Sequence, residues 1–388
     1  MKVCMLAYTF YEQDNRVRRY AETLKKRGEH VDVIALRKER QAFSGELNNV
    51  NIWRVQKRIR NEKGKIMYLF RLLSFFFRSF VILSYKHLRE PYDLVHIHSV
   101  PDFMVFAGLI PKVRGAKIIL DIHDILPEFY ISKFNASPES YIFKMLQTLE
   151  KFSIAFSDHV IISNHIWRKK LIGRSTHAGK CTAILNYPDN RLFSKTPIQN
   201  NNGKFIMIYP GSLGWHQGLD IAIKAFDLVV EQAPEAEFHI YGRGPYEKRL
   251  RSMISDLGLQ SKIFLKGAIS FDHVHQVMAN ANLGIVPKRN DLFGGEAFST
   301  KIFEFMAVRI PVIVSETQID QYYFDNSLVQ FFKPENEKDL AEKIILLIKN
   351  EDLRQQLTHN ATKFIQKNNW DVKKYIYLDL VDSLAQKP

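Results

Sequence analysis

Glu296 and Glu304 stand with seven residues between them in Gly294-Gly295-Glu296-Ala297-Phe298-Ser299-Thr300-Lys301-Ile302-Phe303-Glu304. Ser299 or Thr300 can cap a helix whose first turns hold Lys301 and Glu304, leaving Glu296 in the preceding loop. Free amides over 297–300 at such a helix start suit a phosphate. Glu304, about one turn in, could accept hydrogen bonds from a ribose diol, and Glu296 could hold sugar hydroxyls. The same spacing also suits an amphipathic helix with two solvated acids.

Four other segments, each after an apolar run, carry candidates. Pro210-Gly211-Ser212-Leu213-Gly214-Trp215-His216-Gln217-Gly218 holds three glycines that permit close backbone approach, and the helix expected from Gly218 presents amides to an anion. Tyr241-Gly242-Arg243-Gly244-Pro245 is a second glycine loop; each alone could be a tight turn, and together they favour a phosphate-bearing ligand. His123-Asp124 follows KIILDI and could bond sugar hydroxyls or share a proton, although a histidine at a strand end can also be purely structural. After the first run, Asp14 or Asn15 can cap a helix and turn Arg16 towards a ligand; a cap followed by a solvated basic face is the plainer reading.

The elements that must position these residues alternate. Strand-like runs fall at 2–8, 31–36, 94–98, 117–122 and 159–163, with helix-like stretches including 15–28, 101–113 and 138–156. The second half repeats the pattern, with strands near 205–211, 237–241, 263–266, 283–286 and 311–314 and helices near 218–232, 245–257, 300–308 and 336–349. Strands alternating with helices predict an α/β chain of two doubly wound parallel-sheet domains, facing across a cleft at the carboxyl ends of their strands. The polar text from Ser194 to Gly203 marks the boundary, giving domains 1–195 and 196–369.

Composition removes several classes. The 388 residues include only two cysteines, Cys4 and Cys181, inside apolar runs without ligand-like spacing, which excludes a disulfide scaffold or zinc site and favours a reducing compartment. No secretory signal opens the sequence. The loop 8–19 lacks G-x-G-x-x-G, which disfavours a dinucleotide-binding oxidoreductase, and there is no Asp-x-Asp metal motif. The net charge of +14 is uneven: residues 1–195 hold 33 Lys+Arg against 18 Asp+Glu, and the remainder hold 22 against 23. One half should therefore meet a polyanion.

The block GGEAFSTKIFEFMAVRIPVIVS, together with YPGSLGWHQGLDIAIKAF, resembles the retaining family 4 glycosyltransferases of the GT-B fold, and the likeness spans essentially the whole chain. The resemblance implies that Glu296 binds the donor sugar's hydroxyls and that Ala297, Phe298 and Ser299 offer amides to the diphosphate, beside Thr300. It further implies that Glu304 holds the ribose, that His123 lies against the transferred sugar, and that the 14–16 loop approaches the phosphates. A helix over 370–388 would cross back to the front domain. The implied reaction is metal- and cofactor-independent transfer with retention, from a UDP- or GDP-type donor to a glycan acceptor. The family often has Arg and Lys where this chain has Ser212 and Gln217. Lys301, Lys288, Arg289, His216 and Arg16 are the replacement cations considered, Lys301 first because it opens the helix.

Between Arg54 and Arg89 lie ten Lys/Arg and one acid, around IMYLFRLLSFFFRSFVILSY (66–85). Arg71 and Arg78 would each cost on the order of 3 kcal/mol at a bilayer centre. Their spacing suits a helix lying on an anionic membrane surface; a helix packed on its own sheet is the alternative. Charge and family together predict a cytoplasmic enzyme, peripheral on the inner membrane face, acting on a lipid-linked acceptor in surface polysaccharide biosynthesis. A nucleic-acid-binding protein is the competing class, but no recognition motif appears and no nucleic-acid partner is expected. A GT-B nucleotide-sugar epimerase is the competing enzyme.

Overall fold

The computed structural model describes residues 1–58, 65–99, 101–134, 136–189, 203–269 and 271–385. The polar stretch 194–202, expected to join the halves, and residues 59–64 of the basic segment lie outside the described residues. The chain forms two compact units, Met1–Asn186 with Lys374–Pro388, and Tyr187–Lys373. The division falls nine residues before the expected 195/196, and the final helix, Trp370–Ala385, joins the first unit from Lys374 onwards.

The first unit is built on β1 (Lys2–Ala7), β2 (His30–Arg37), β3 (Ser44–Leu47), β4 (Val50–Lys57), β5 (Leu94–Ser99), β6 (Lys117–Ile122), β7 (His159–Ile162) and β8 (Cys181–Ala183). Their order is β3-β4-β2-β1-β5-β6-β7-β8, and all neighbours are parallel except β3 and β4. Central strands covered on both faces read as unbroken apolar runs, and Val3, Cys4, Met5 and Leu6 are wholly buried. The helix Asn15–Arg27 starts on Asp14, whose carboxylate accepts from the Arg16 and Val17 amides, and ends at Gly28 in the left-handed region.

The second unit is an all-parallel six-stranded sheet of β9 (Phe205–Pro210), β10 (Ala236–Tyr241), β11 (Ile263–Gly267), β12 (Leu283–Val286), β13 (Val312–Ser315) and β14 (Gln330–Phe332). Its order, β11-β10-β9-β12-β13-β14, reverses direction at β9. That switch point is where α/β sheets bind ligands.

Some elements depart from the sequence reading. The expected helix over 101–113 is a 3-10 segment, Asp102–Gly108, followed by a short helix, Leu109–Val113. The β3–β4 hairpin turns through Asn48 and Asn49, both at positive φ, a two-residue turn whose polar flanks hid the strands.

The helix Lys65–Arg89 buries Leu72, Phe75, Ser79 and Leu83. Its other face leaves Phe70 67%, Phe77 61% and Val81 62% exposed. Met67–Arg89 is long and apolar enough to cross a membrane, by length and composition only.

Candidate active site

In the second unit, β9 ends at Pro210 and the chain turns through Gly211–Gly218 into the helix Leu219–Val230. The two glycine loops are clasped to each other: the Gly211 amide donates to Tyr241 O at 2.8 Å, and the Leu213 amide to Arg243 O at 3.0 Å. A Cβ on Gly242, whose φ is 153°, would meet Gly211 O at 1.7 Å. Gly242 therefore serves the packing of one loop on the other. The Arg243 side chain is exposed.

The acidic segment follows from β12. Gly295, Glu296 and Ala297 are tied into turns by Asp291 O and Phe293 O, and the helix Thr300–Ala307 follows. Ser299 holds the N-cap position but makes no side-chain cap bond, and its hydroxyl is buried without a hydrogen-bond partner. The Ala297 amide is spent on Phe293 O at 2.8 Å, so it is not the free donor expected from sequence. Phe298 packs on Phe303 and Tyr323, which anchors the loop from below. Glu296 and Glu304 are both partly buried, the first in the loop and the second inside the helix, as the spacing predicts.

Lys301 joins the two loops. Its Nζ lies 3.4 Å from Gln217 Oε1 and 5.1 Å from the centre of the Tyr209 ring, and a Cβ on Gly211 would strike its Cε at 2.2 Å. Gln217 is in turn held by the Tyr209 hydroxyl, which donates to its Oε1 at 2.7 Å and lies 3.0 Å from Ser212 O. Burial pushes the Lys301 ammonium down to about 8, the Glu304 carboxylate pulls it up, and Lys288 pushes it down again.

The other cations considered from sequence have structural work. Lys288 Nζ bonds Asp320 Oδ2 at 2.8 Å and Ala297 O at 2.7 Å, pinning the acidic loop. Arg289 bonds Asp220 Oδ2 at 2.5 Å and lies 4.4 Å over the Trp215 ring. His216 sits in the 3-10 turn Trp215–Gln217, where its carbonyl accepts the Arg289 amide.

Arg16 belongs to the first unit and is also taken. Its Nη2 and Nε grip Asp121 Oδ1 and Oδ2 at 2.7 and 2.8 Å, and Nη1 donates to Ile184 O and Asn186 Oδ1. Arg16 is thus buried with these donors engaged, where the sequence reading turned it towards a ligand.

Sequence reasoning missed Asp121. It paired His123 with Asp124, whereas His123 Nε2 lies 3.2 Å from Asp121 Oδ2. The β5–β6 register sets His98 opposite Asp121, and His98 Nδ1 is 3.1 Å from the same oxygen. His96 stacks on His98 with ring centres 4.2 Å apart, and its Nδ1 is 3.0 Å from the Tyr377 hydroxyl on the final helix. His96, His98 and Asp121 are close enough to surround an ion, but the Arg16 guanidinium already holds both carboxylate oxygens. Period-two alternation in LVHIH, continued by the acid of KIILDI, was the available signal.

Residues 13–186 match a family model described as a glycosyl transferase 4-like domain, and residues 190–364 match one described as glycosyl transferases group 1. An uncharacterised glycosyltransferase of Methanocaldococcus jannaschii is 28% identical over 320 residues, covering 75% of this chain and 86% of that one. A putative colanic acid biosynthesis glycosyltransferase of Escherichia coli is 29% identical over 126 residues, 32% of this chain and 31% of that one. Among solved structures, sucrose-phosphate synthase from Thermosynechococcus elongatus superposes with a TM-score of 0.81 at 17% identity, covering 99% of both chains. Anabaena HepE in complex with UDP and glucose gives a TM-score of 0.73 at 16% identity, covering 98% of this chain and 100% of that one.

Proposed function

This chain belongs to the family 4 glycosyltransferases of the GT-B fold, and from that premise we propose that it moves a sugar, with retention, from a UDP-type donor to a lipid-linked glycan in surface polysaccharide assembly. The observation that carries the donor assignment is Lys301 lying across Gly211 beside Gln217. Its ammonium brings a cation to the loop that carries neutral Ser212 and Gln217. With the Ser299 and Thr300 amides at the helix start, it would face the diphosphate. Glu304 takes the ribose, Glu296 the sugar hydroxyls, and His123 the transferred sugar. A GDP donor would satisfy the same groups; the complex of a like-folded protein with UDP and glucose supports UDP.

In the proposed step, the bond between the anomeric carbon and the diphosphate oxygen breaks as negative charge grows on the leaving group. Lys301 and the helix-start dipoles stabilise that charge. The acceptor hydroxyl bonds to the same face of the anomeric carbon, and its proton passes to the departing phosphate oxygen. No metal or cofactor is assigned a part.

The acceptor's lipid anchor is supported by the helix Lys65–Arg89, which carries an exposed apolar stripe together with exposed Arg78 and Arg89. On this reading the enzyme works at the cytoplasmic face of an anionic membrane. Assaying nucleotide sugars with a lipid-linked acceptor and with a free glycan tests the function. Transfer to the lipid-linked acceptor from a UDP-sugar supports it, and absence of transfer from every nucleotide sugar refutes it. Co-sedimentation with phosphatidylglycerol vesicles tests the docking; protein left wholly in the supernatant at low salt would contradict it.

A further inference from the structure

We infer that Asp121, anchored by Arg16, is the positioning residue of His123: it accepts the ring Nε2–H and so presents Nδ1 to substrate as a hydrogen-bond acceptor. The inference rests on the reading that His123 meets the transferred sugar, and it adds which atom does so and what holds it there.

A carboxylate held by Arg16 on both oxygens can only accept hydrogen bonds. Burial alone would raise the Asp121 pKa, but the Arg16 guanidinium, followed by His123, outweighs burial and holds the carboxyl well below its usual range. Two ring nitrogens converge on its Oδ2, His98 Nδ1 at 3.1 Å and His123 Nε2 at 3.2 Å. On this reading both carry hydrogen towards the ionised oxygen, although they lie within hydrogen-bond distance of each other at 3.2 Å. In neutral rings this leaves the lone pairs on His98 Nε2 and His123 Nδ1. The first agrees with its surroundings: His98 Nε2 is buried without a partner among the described residues, and a bare lone pair there costs less than an orphaned N–H. Burial also pushes the His98 pKa down, against the pull of Asp121, which favours a neutral ring. His123 differs in keeping 24% of its side chain exposed, so its free nitrogen can be reached.

The anchor is itself braced. Asp14 caps the helix that carries Arg16, Ile184 O and Asn186 Oδ1 take the remaining guanidinium edge, and the guanidinium carbon sits 5.3 Å over the Tyr20 ring. Arg16 thus acts on the sugar only through Asp121 and His123.

The test is the ring tautomer of His123, read by long-range 1H–15N correlation on the full-length chain with 15N-histidine at a pH where the ring is neutral. Asp121→Asn alone leaves the Arg16 charge buried against a neutral amide, so Arg16→Met/Asp121→Leu, an apolar pair of similar bulk, is the companion variant. The expected wild-type signal is Nε2–H. In the folded double variant, His123 Nε2 is left facing His98 Nδ1 and shifts towards the Nδ1–H form, with kcat falling at least about tenfold and donor KM changing less than about threefold. Retention of Nε2–H at His123 in a folded double variant overturns the inference. A wild-type chain that transfers no sugar while showing the tautomer and its switch would instead overturn the proposed function, so the two failures are separable.

Discussion

The Lys301 ammonium lies 3.4 Å from the Gln217 carboxamide oxygen, so a side chain at a helix start brings a positive charge to a loop that carries neutral Ser212 and Gln217. Gln217 is fixed by Tyr209, and Gly211 leaves the space through which the lysine stem passes. Replacing Lys301 with alanine removes one charge-assisted contact to a diphosphate, worth about 1.5–3 kcal/mol. UDP affinity measured by titration calorimetry should therefore fall by about 10- to 100-fold. Unchanged affinity and turnover would remove Lys301 from the site.

The same lysine predicts a pH dependence. Its pKa is depressed to about 8, so the ammonium is present below that pH and is lost as pH rises through it. Donor KM should be flat below about pH 8 and climb above it, by up to tenfold per pH unit. Lys301→Arg keeps its charge throughout and should abolish the climb. An identical alkaline limb in that variant assigns the titration to another group.

Glu304 sits inside the helix that Lys301 opens, and its role is read through the ribose. Glu304→Ala should lower UDP affinity about tenfold and erase any preference for UDP over 2′-deoxy-UDP. A preserved preference would show that the diol is held elsewhere.

How much of this was legible depends on whether the signal was local. β6 and the Thr300–Ala307 helix announce themselves through an apolar run and a polar start followed by apolar spacing. The β3–β4 hairpin did not, because four exposed or half-exposed residues carry no apolar alternation. The acidic segment was legible, since Glu296 and Glu304 lie close together on one stretch of chain. The partners were not: Arg16 meets Asp121 across 105 residues, and only the strand order and the β5–β6 register bring His98 to that carboxylate. The glycines of 242–244 were legible as a need for close approach, but not in what approaches, which is the neighbouring loop's backbone.

Arg16 and Asp121 form a buried pair, and breaking one member leaves the other's charge uncompensated. Arg16→Ala should cost about 3–5 kcal/mol of stability in denaturant unfolding. UDP affinity of the folded variant should stay within about twofold of wild type. A large loss of UDP affinity with stability intact would return Arg16 to the phosphates.

Sugar transfer with retention from a nucleotide diphosphate sugar is reported directly by the anomeric proton of the product. Proton NMR should follow the reaction of an α-linked UDP-sugar with a lipid-linked acceptor. The first-formed glycoside should carry the small anomeric coupling of an α-linked gluco-configured sugar. A β-linked first product, or no glycoside from any nucleotide sugar offered, would contradict transfer with retention.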